Sequence, residues 1–75
     1  MTAEDLARAV SAEIRRVLEE RGMSGNQLAK AVGMDQSTVA RKLRGAHAFT
    51  LNELDSVCSV LGIKVSDLME WAQRA

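Results

Sequence analysis

Proline is absent from this 75-residue chain, cysteine occurs once, and only two residues, Phe49 and Trp71, are aromatic. The lone Cys58 excludes an internal disulfide. No apolar run approaches the roughly 18 residues that a membrane-spanning helix needs, and the acidic N-terminus differs from the basic start of a signal peptide. These absences predict one small cytoplasmic domain covering residues 1–75.

The residues that carry catalytic chemistry are also scarce. His47 is the one histidine, and it has no partner for metal binding beyond Cys58, which lies in an apolar helical stripe. The sequence has no pair of carboxylates in an apolar setting and no glycine-rich phosphate loop. We therefore predict that the protein is not an enzyme and needs no metal or cofactor.

Helix boundaries are marked by a repeated pattern of capping residues. A Ser, Thr or Asp precedes each predicted helix, in four cases with an apolar residue before it and another at the fourth helical position. These caps are Thr2, Ser24, Asp35, Thr50 and Ser66. A glycine follows the first four helices, where a left-handed residue ends the helix. The predicted helices run near 3–21, 25–32, 36–44, 51–61 and 67–73.

Apolar residues recur at the helical spacing, so that each helix has one apolar face. The predicted core positions are Leu6, Val10, Ile14, Val17, Leu18, Leu28, Ala29, Val32, Val39, Leu43, Leu51, Leu54, Val57, Cys58, Leu61, Ile63, Val65 and Leu68. Helices with one apolar face must bury it against one another. The fold class is therefore all-α, a compact five-helix bundle.

The net charge of zero conceals a gradient along the chain. Residues 1–23 carry four basic and five acidic side chains, a net charge of −1, and residues 48–75 carry two and four, a net charge of −2. Residues 24–47 carry four basic side chains against one acidic, a net charge of +3. The middle third is therefore the segment suited to a polyanion.

That basic segment has the pattern of a helix-turn-helix, at about 24–44. Ala29 allows close approach of two short helices, Gly33 supplies the turn, and Val39 with Leu43 points inward. At about 100° per residue, the opposite face of the second helix carries Gln, Ser, Thr and Arg. These side chains can donate to and accept from base edges. The predicted base-reading residues are Gln36, Ser37, Thr38 and Arg41.

Residues 24–45 resemble the helix-turn-helix of the Cro/repressor (XRE-like) family, with 33–39 especially similar to lambda-type phage repressors. Residues 51–54, 60–63 and 65–68 match the last two helices of that family, so the resemblance covers about residues 11–70. It implies a five-helix lambda-repressor-like domain, usually dimeric, on a partly palindromic operator. Gln36 and Ser37 match the family's main base-reading pair, and Arg41 with Arg44 matches outward positions that contact bases or phosphates.

Phosphate contacts are also implied by the resemblance. His47 lies in a segment that matches a loop near phosphate, while Lys30 and Lys42 lie toward the flanks, where phosphate attraction and plain solubility fit equally. The family often has a phosphate-clamping glutamine at the position of Gly25, for which Asn26 or Gln27 can substitute. The predicted phosphate-binding residues are Asn26, Gln27, Lys30, Lys42, Arg44 and His47.

Two functions fit these features. The first is a sequence-specific regulator of transcription, a phage, prophage or bacterial repressor that occupies double-stranded operator DNA as a homodimer. The dimer contact would involve an additional domain or the C-terminal helix with Trp71, a residue that could equally close the core. The alternative is an antitoxin-type or adaptor module whose main partner is a protein.

Overall fold

The computed structural model describes residues 1–74, and that part of the chain contains five α-helices and no strand. In chain order they are α1 (Ala3–Arg21), α2 (Gly25–Val32), α3 (Gln36–Leu43), α4 (Leu51–Leu61) and α5 (Val65–Arg74). The predicted all-α five-helix fold is confirmed. No helix between residues 1 and 74 is both long and apolar enough to cross a membrane.

Four of the five predicted caps are confirmed, because Thr2, Ser24, Asp35 and Thr50 each accept a backbone N–H of the following helix. The predicted cap at Ser66 is wrong. Helix α5 begins at Val65, and the Leu68 amide donates to the Lys64 carbonyl at 3.1 Å. The reason is burial, because Val65 packs against the core and forms the first residue of the helix. Ser66 therefore lies inside α5 and cannot cap it.

The core lies where the apolar faces of all five helices meet. Ile14, Leu28, Val57, Leu61 and Leu68 are completely buried at its centre. The margin is formed by half-buried apolar residues, among them Leu6, Met23, Val32, Met34, Ile63, Val65, Met69 and Trp71.

The predicted core position Leu51 is wrong, since its side chain is 79% exposed. It is the first residue of α4, and the helical turn directs it away from the bundle. Phe49, which precedes the Thr50 cap, is buried instead and joins Leu54 in the core. This apolar pair flanking the cap is the arrangement of a hydrophobic staple.

Trp71 lies at the edge of the core, where α5 packs along α1. It is half-buried, and the Arg16 guanidinium carbon lies 5.6 Å from the centroid of its ring, a cation–π distance. Arg16 also bonds to Glu13 and Glu20 on its own helix. Trp71 thus packs against the core, and its part in a dimer contact stays a prediction.

Leu54→Ala and Leu51→Ala form a matched pair three residues apart on α4. We expect Leu54→Ala to lower the free energy of unfolding by about 2–5 kcal/mol, because it leaves a cavity in the core. Leu51→Ala should change it by less than about 0.5 kcal/mol, since its side chain is already in water. Urea denaturation followed by circular dichroism measures both, and equal losses would contradict the assigned register of α4.

Candidate nucleic-acid interface

Helices α2 and α3 meet at a tight corner formed by residues 33–35. Gly33 has a φ of +71°, which favours glycine, and the next amide, that of Met34, donates to the Ala29 carbonyl at 2.9 Å. Ala29 is completely buried, so its small side chain permits close packing of the two helices. The corner therefore fixes the angle at which α3 leaves α2.

The start of α3 is organised by the Asp35 carboxylate. Its Oδ2 accepts the backbone N–H groups of Ser37 at 3.0 Å and Thr38 at 3.2 Å, and it also accepts the Ser37 hydroxyl. The hydrogen bond from the Ser37 side chain, followed by that from the Thr38 backbone, holds the pKa of Asp35 below its ordinary value. Because the Ser37 hydroxyl donates its proton to Asp35, the oxygen offers solvent only lone pairs.

The two faces of α3 differ as the sequence predicts. Val39 and Leu43 are buried, at 1% and 8% exposure, whereas Gln36, Ser37 and Arg41 are exposed. Thr38 is half-buried and lies at the margin of the outward face. One side of α3 is thus anchored in the core while the other presents hydrogen-bonding groups to solvent.

The C-terminal end of α3 is held by α1 through two side chains that sequence reasoning missed. Ser11, completely buried, donates its hydroxyl to the Lys42 carbonyl at 2.7 Å, and an N–H on Nη1 of Arg15 donates to the Leu43 carbonyl. Carbonyls in the last turn of a helix have no partner within the helix. Helix α1 supplies those partners and so fixes the position of α3.

Lys42 forms an ion pair with Glu53 of α4, and the Nζ–Oε1 distance is 2.5 Å. Both side chains are largely shielded, at 13% and 23% exposure, and the same Glu53 oxygen accepts the Thr50 amide at 2.8 Å. The hydrogen bond from Lys42, followed by that from Thr50, lowers the pKa of Glu53. The Lys42 ammonium therefore links α3 to α4, which argues against its predicted contact with phosphate.

The other residues predicted to bind phosphate lie on the surface. Asn26, Lys30, Arg44 and His47 are exposed, and Arg41 and Arg44 have no ion-pair partner among residues 1–74. Gln27 is exposed too, but its Oε1 accepts the Ser24 amide at 2.8 Å as part of the helix cap. Its side-chain NH₂ group is the part left for a ligand.

Gly25 has a packing reason, which the sequence did not reveal. A Cβ built on this residue would lie 3.2 Å from Cδ1 of Leu43, a tight contact. The start of α2 thus packs directly on the end of α3. A glutamine here would require the Leu43 side chain to move.

Two short helices at a fixed corner, with a polar and basic outward face on the second, define a helix-turn-helix DNA-binding domain. The Cro/C1-type HTH DNA-binding domain model matches residues 13–73. The chain belongs to this family, as its sequence predicts.

Solved structures of the clp gene regulator ClgR from Corynebacterium glutamicum share the fold. One has a TM-score of 0.84 at 28% identity and matches over 91% of this chain and 88% of that chain. Another has a TM-score of 0.85 at 28% identity, over 91% of this chain and 72% of that chain. The family model and these neighbours agree with the sequence in placing the chain among DNA-binding helix-turn-helix regulators.

A curated relative of another kind also matches in part. It is a cyanate hydratase from Laccaria bicolor, 38% identical over 61 residues, which make up 81% of this chain. The chain spans 37% of the length of that protein.

Removing the Ser11 hydroxyl should weaken the attachment of α3 to α1. We expect Ser11→Ala to lower the free energy of unfolding by about 0.5–1.5 kcal/mol, because the Lys42 carbonyl loses its buried donor and keeps only the Gly45 amide at 3.1 Å. Ser56→Ala is the matched control, since its hydroxyl bonds to the Asn52 carbonyl on an exposed surface. Chemical denaturation measures both, and a loss for Ser11→Ala no larger than the control's would contradict the role of Ser11.

The lowered pKa of Glu53 predicts a pH dependence of stability. A carboxyl with a depressed folded pKa contributes stability above its unfolded pKa and loses it as the pH falls through the folded value. The contribution should therefore fade as the pH falls below 4.5, the ordinary value for glutamate. Glu53→Gln preserves the cap but should flatten this part of the stability–pH curve.

Lys42→Met is the companion variant, measured by urea denaturation across the same pH range. It should flatten the curve only in part, because the Thr50 amide still bonds to Glu53. The double variant should show no flattening beyond that of Glu53→Gln. An unchanged curve in Glu53→Gln would show that the ion pair contributes nothing to stability.

Proposed function

We propose that this chain is a sequence-specific repressor, bacterial or from a phage, that binds operator DNA with α3 in the major groove. The observation that carries the proposal is the arrangement of α3. Its apolar side is locked into the core, while Gln36, Ser37 and Arg41 are exposed on the other. Repression would follow from occupying DNA that overlaps a promoter.

The chemistry of the outward face favours particular bases. Gln36, at the N-terminal tip of α3, suits bidentate contact with adenine, and Arg41 suits bidentate contact with guanine. Ser37 can only accept, because its proton is donated to Asp35, so it suits the amino groups of adenine or cytosine. Thr38, half-buried at the margin, suits the thymine methyl group.

Phosphate contacts would come from the flanks of this face. Lys30 and Arg44 supply charge, while Asn26, His47 and the Gln27 side-chain NH₂ supply hydrogen-bond donors. With so few cations, one subunit binds weakly. Tight binding therefore calls for two subunits on half-sites about one helical turn apart, which supports a homodimer on DNA.

A second function, as a module whose main partner is a protein, is favoured by one observation. An apolar groove of about 200 Å³ lies between α1, α4 and α5, lined by Leu6, Phe49, Leu51 and Met69 among others. Leu51 is largely exposed at its rim. Exposed apolar surface of this kind commonly marks a site of protein contact.

Selection of binding sites from random duplex DNA distinguishes the two functions. We expect a palindromic consensus for the wild-type chain, which Gln36→Ala and Arg41→Ala relax at different positions. Each substitution should weaken binding to the consensus by about 1–3 kcal/mol. Fluorescence anisotropy with matched and mismatched duplexes measures the effect.

Arg74→Ala is the control, since Arg74 lies at the end of α5 and pairs with Glu70. It should leave both the consensus and the affinity unchanged. The absence of any consensus, with a protein co-purifying instead, would reject the repressor and favour the second function.

A further inference from the structure

Helix α1 presents a polar stripe to the C-terminal end of α3. Arg8, Ser11 and Arg15 are spaced by three and four residues, so they share one face of α1. Ser11 and Arg15 donate to the carbonyls of Lys42 and Leu43. The stem of Arg8 lies beside Gly45, where an added Cβ would be 3.2 Å from its Cγ. This stripe brings two cations from α1 to the edge of the candidate DNA-binding surface.

The two cations differ in whether a carboxylate neutralises them. Arg8 bonds to Asp5 at 2.7 Å. Arg15 forms no salt bridge with a carboxylate anywhere in residues 1–74, and the residue is exposed. A guanidinium has five N–H donors, of which the bond to Leu43 requires one. Arg15 therefore keeps a charge and several donors available beside residues 43–45.

We propose that Arg15 is a phosphate-binding residue of the DNA-binding surface, anchored at the end of α3 and acting beside Arg44. This inference rests on the proposed function. By sequence position Arg15 belongs to residues 1–23, whose net charge is −1. Folding brings its guanidinium to the end of α3 and so adds its charge to the basic segment.

The anchored geometry suits this task. The partial negative charge at the C-terminus of α3 attracts the guanidinium, and the bond to the Leu43 carbonyl restricts the rotamers of a long side chain. Less conformational entropy is then lost when a phosphate binds. The planar guanidinium can also hold two phosphate oxygens at once, which an ammonium cannot do with the same geometry.

The slope of log Kobs against log salt concentration tests the proposal. Each phosphate contact contributes about 0.9 to its magnitude on duplex DNA. We expect Arg15→Met to lower that magnitude by about 0.9 per bound subunit and Arg15→Lys to retain most of it. The probe is a random-sequence duplex of about 21 base pairs, two helical turns, because phosphate contacts do not depend on sequence.

Arg16→Met is the matched control. This neighbouring arginine bonds to Glu13 and Glu20 and lies over Trp71, so its loss should leave the slope unchanged. Thermal unfolding of each variant separates folding from binding. If Arg15→Met does not fold, Arg15→Gln replaces it, because glutamine keeps an N–H donor without the charge. We expect the same reduction in the salt slope for Arg15→Gln.

An unchanged salt slope in the uncharged Arg15 variant would overturn the inference and leave Arg15 a structural residue, even if the variant were less stable. A reduced slope in both the uncharged variant and Arg16→Met would also overturn it, because the effect would then be one of overall charge. If the wild-type chain shows no salt-dependent binding to duplex DNA, the proposed function fails and this inference fails with it.

Discussion

The attachment of α3 to α1 is the constraint on which the rest of the molecule depends. Helix α3 has eight residues, too few for a stable helix in isolation. The buried Ser11 hydroxyl and the Arg15 guanidinium donate to its last carbonyls, in addition to the backbone amide of Gly45, and its inward side is held by Val39 and Leu43. A helix that is to read bases must be rigid, and here tertiary contacts supply the rigidity.

The two ends of α3 are fixed by different means. The N-terminal end depends on local contacts, since Asp35 accepts from two backbone amides and one hydroxyl within three residues. The C-terminal end depends on distant ones, from α1 and, through the Lys42–Glu53 pair, from α4. The N-terminal end, which carries the proposed base-reading residues, is thus organised by its own sequence, and the bundle sets the direction of the helix.

Charge is redistributed by the same packing. Lys42 counts as a cation in the basic middle third, yet Glu53 neutralises it and shields it from solvent. Arg15 counts within an acidic segment, yet it lies at the end of α3. The sum of charges along the chain therefore does not say which charges act together, because proximity in space decides that.

Local signals were sufficient for the helix-turn-helix, four of the five helix caps and the two faces of α3. Capping, glycine termination and apolar periodicity act over a few residues and can therefore be read from the sequence. Ser66 failed because α5 begins at Val65, which packs against the core. Leu51 failed because the first residue of α4 faces solvent, whereas Phe49 and Leu54, the apolar pair flanking the Thr50 cap, are buried.

Only the tertiary structure decided that Ser11 and Arg15 bond to α3, that Lys42 pairs with Glu53, and that Gly25 leaves space for Leu43. Each of these contacts joins residues far apart in the chain, and no local pattern encodes such a meeting. The sequence determined which helix presents Gln36, Ser37 and Arg41 to solvent. The packing of the bundle determined how that helix is held and which charges lie beside it.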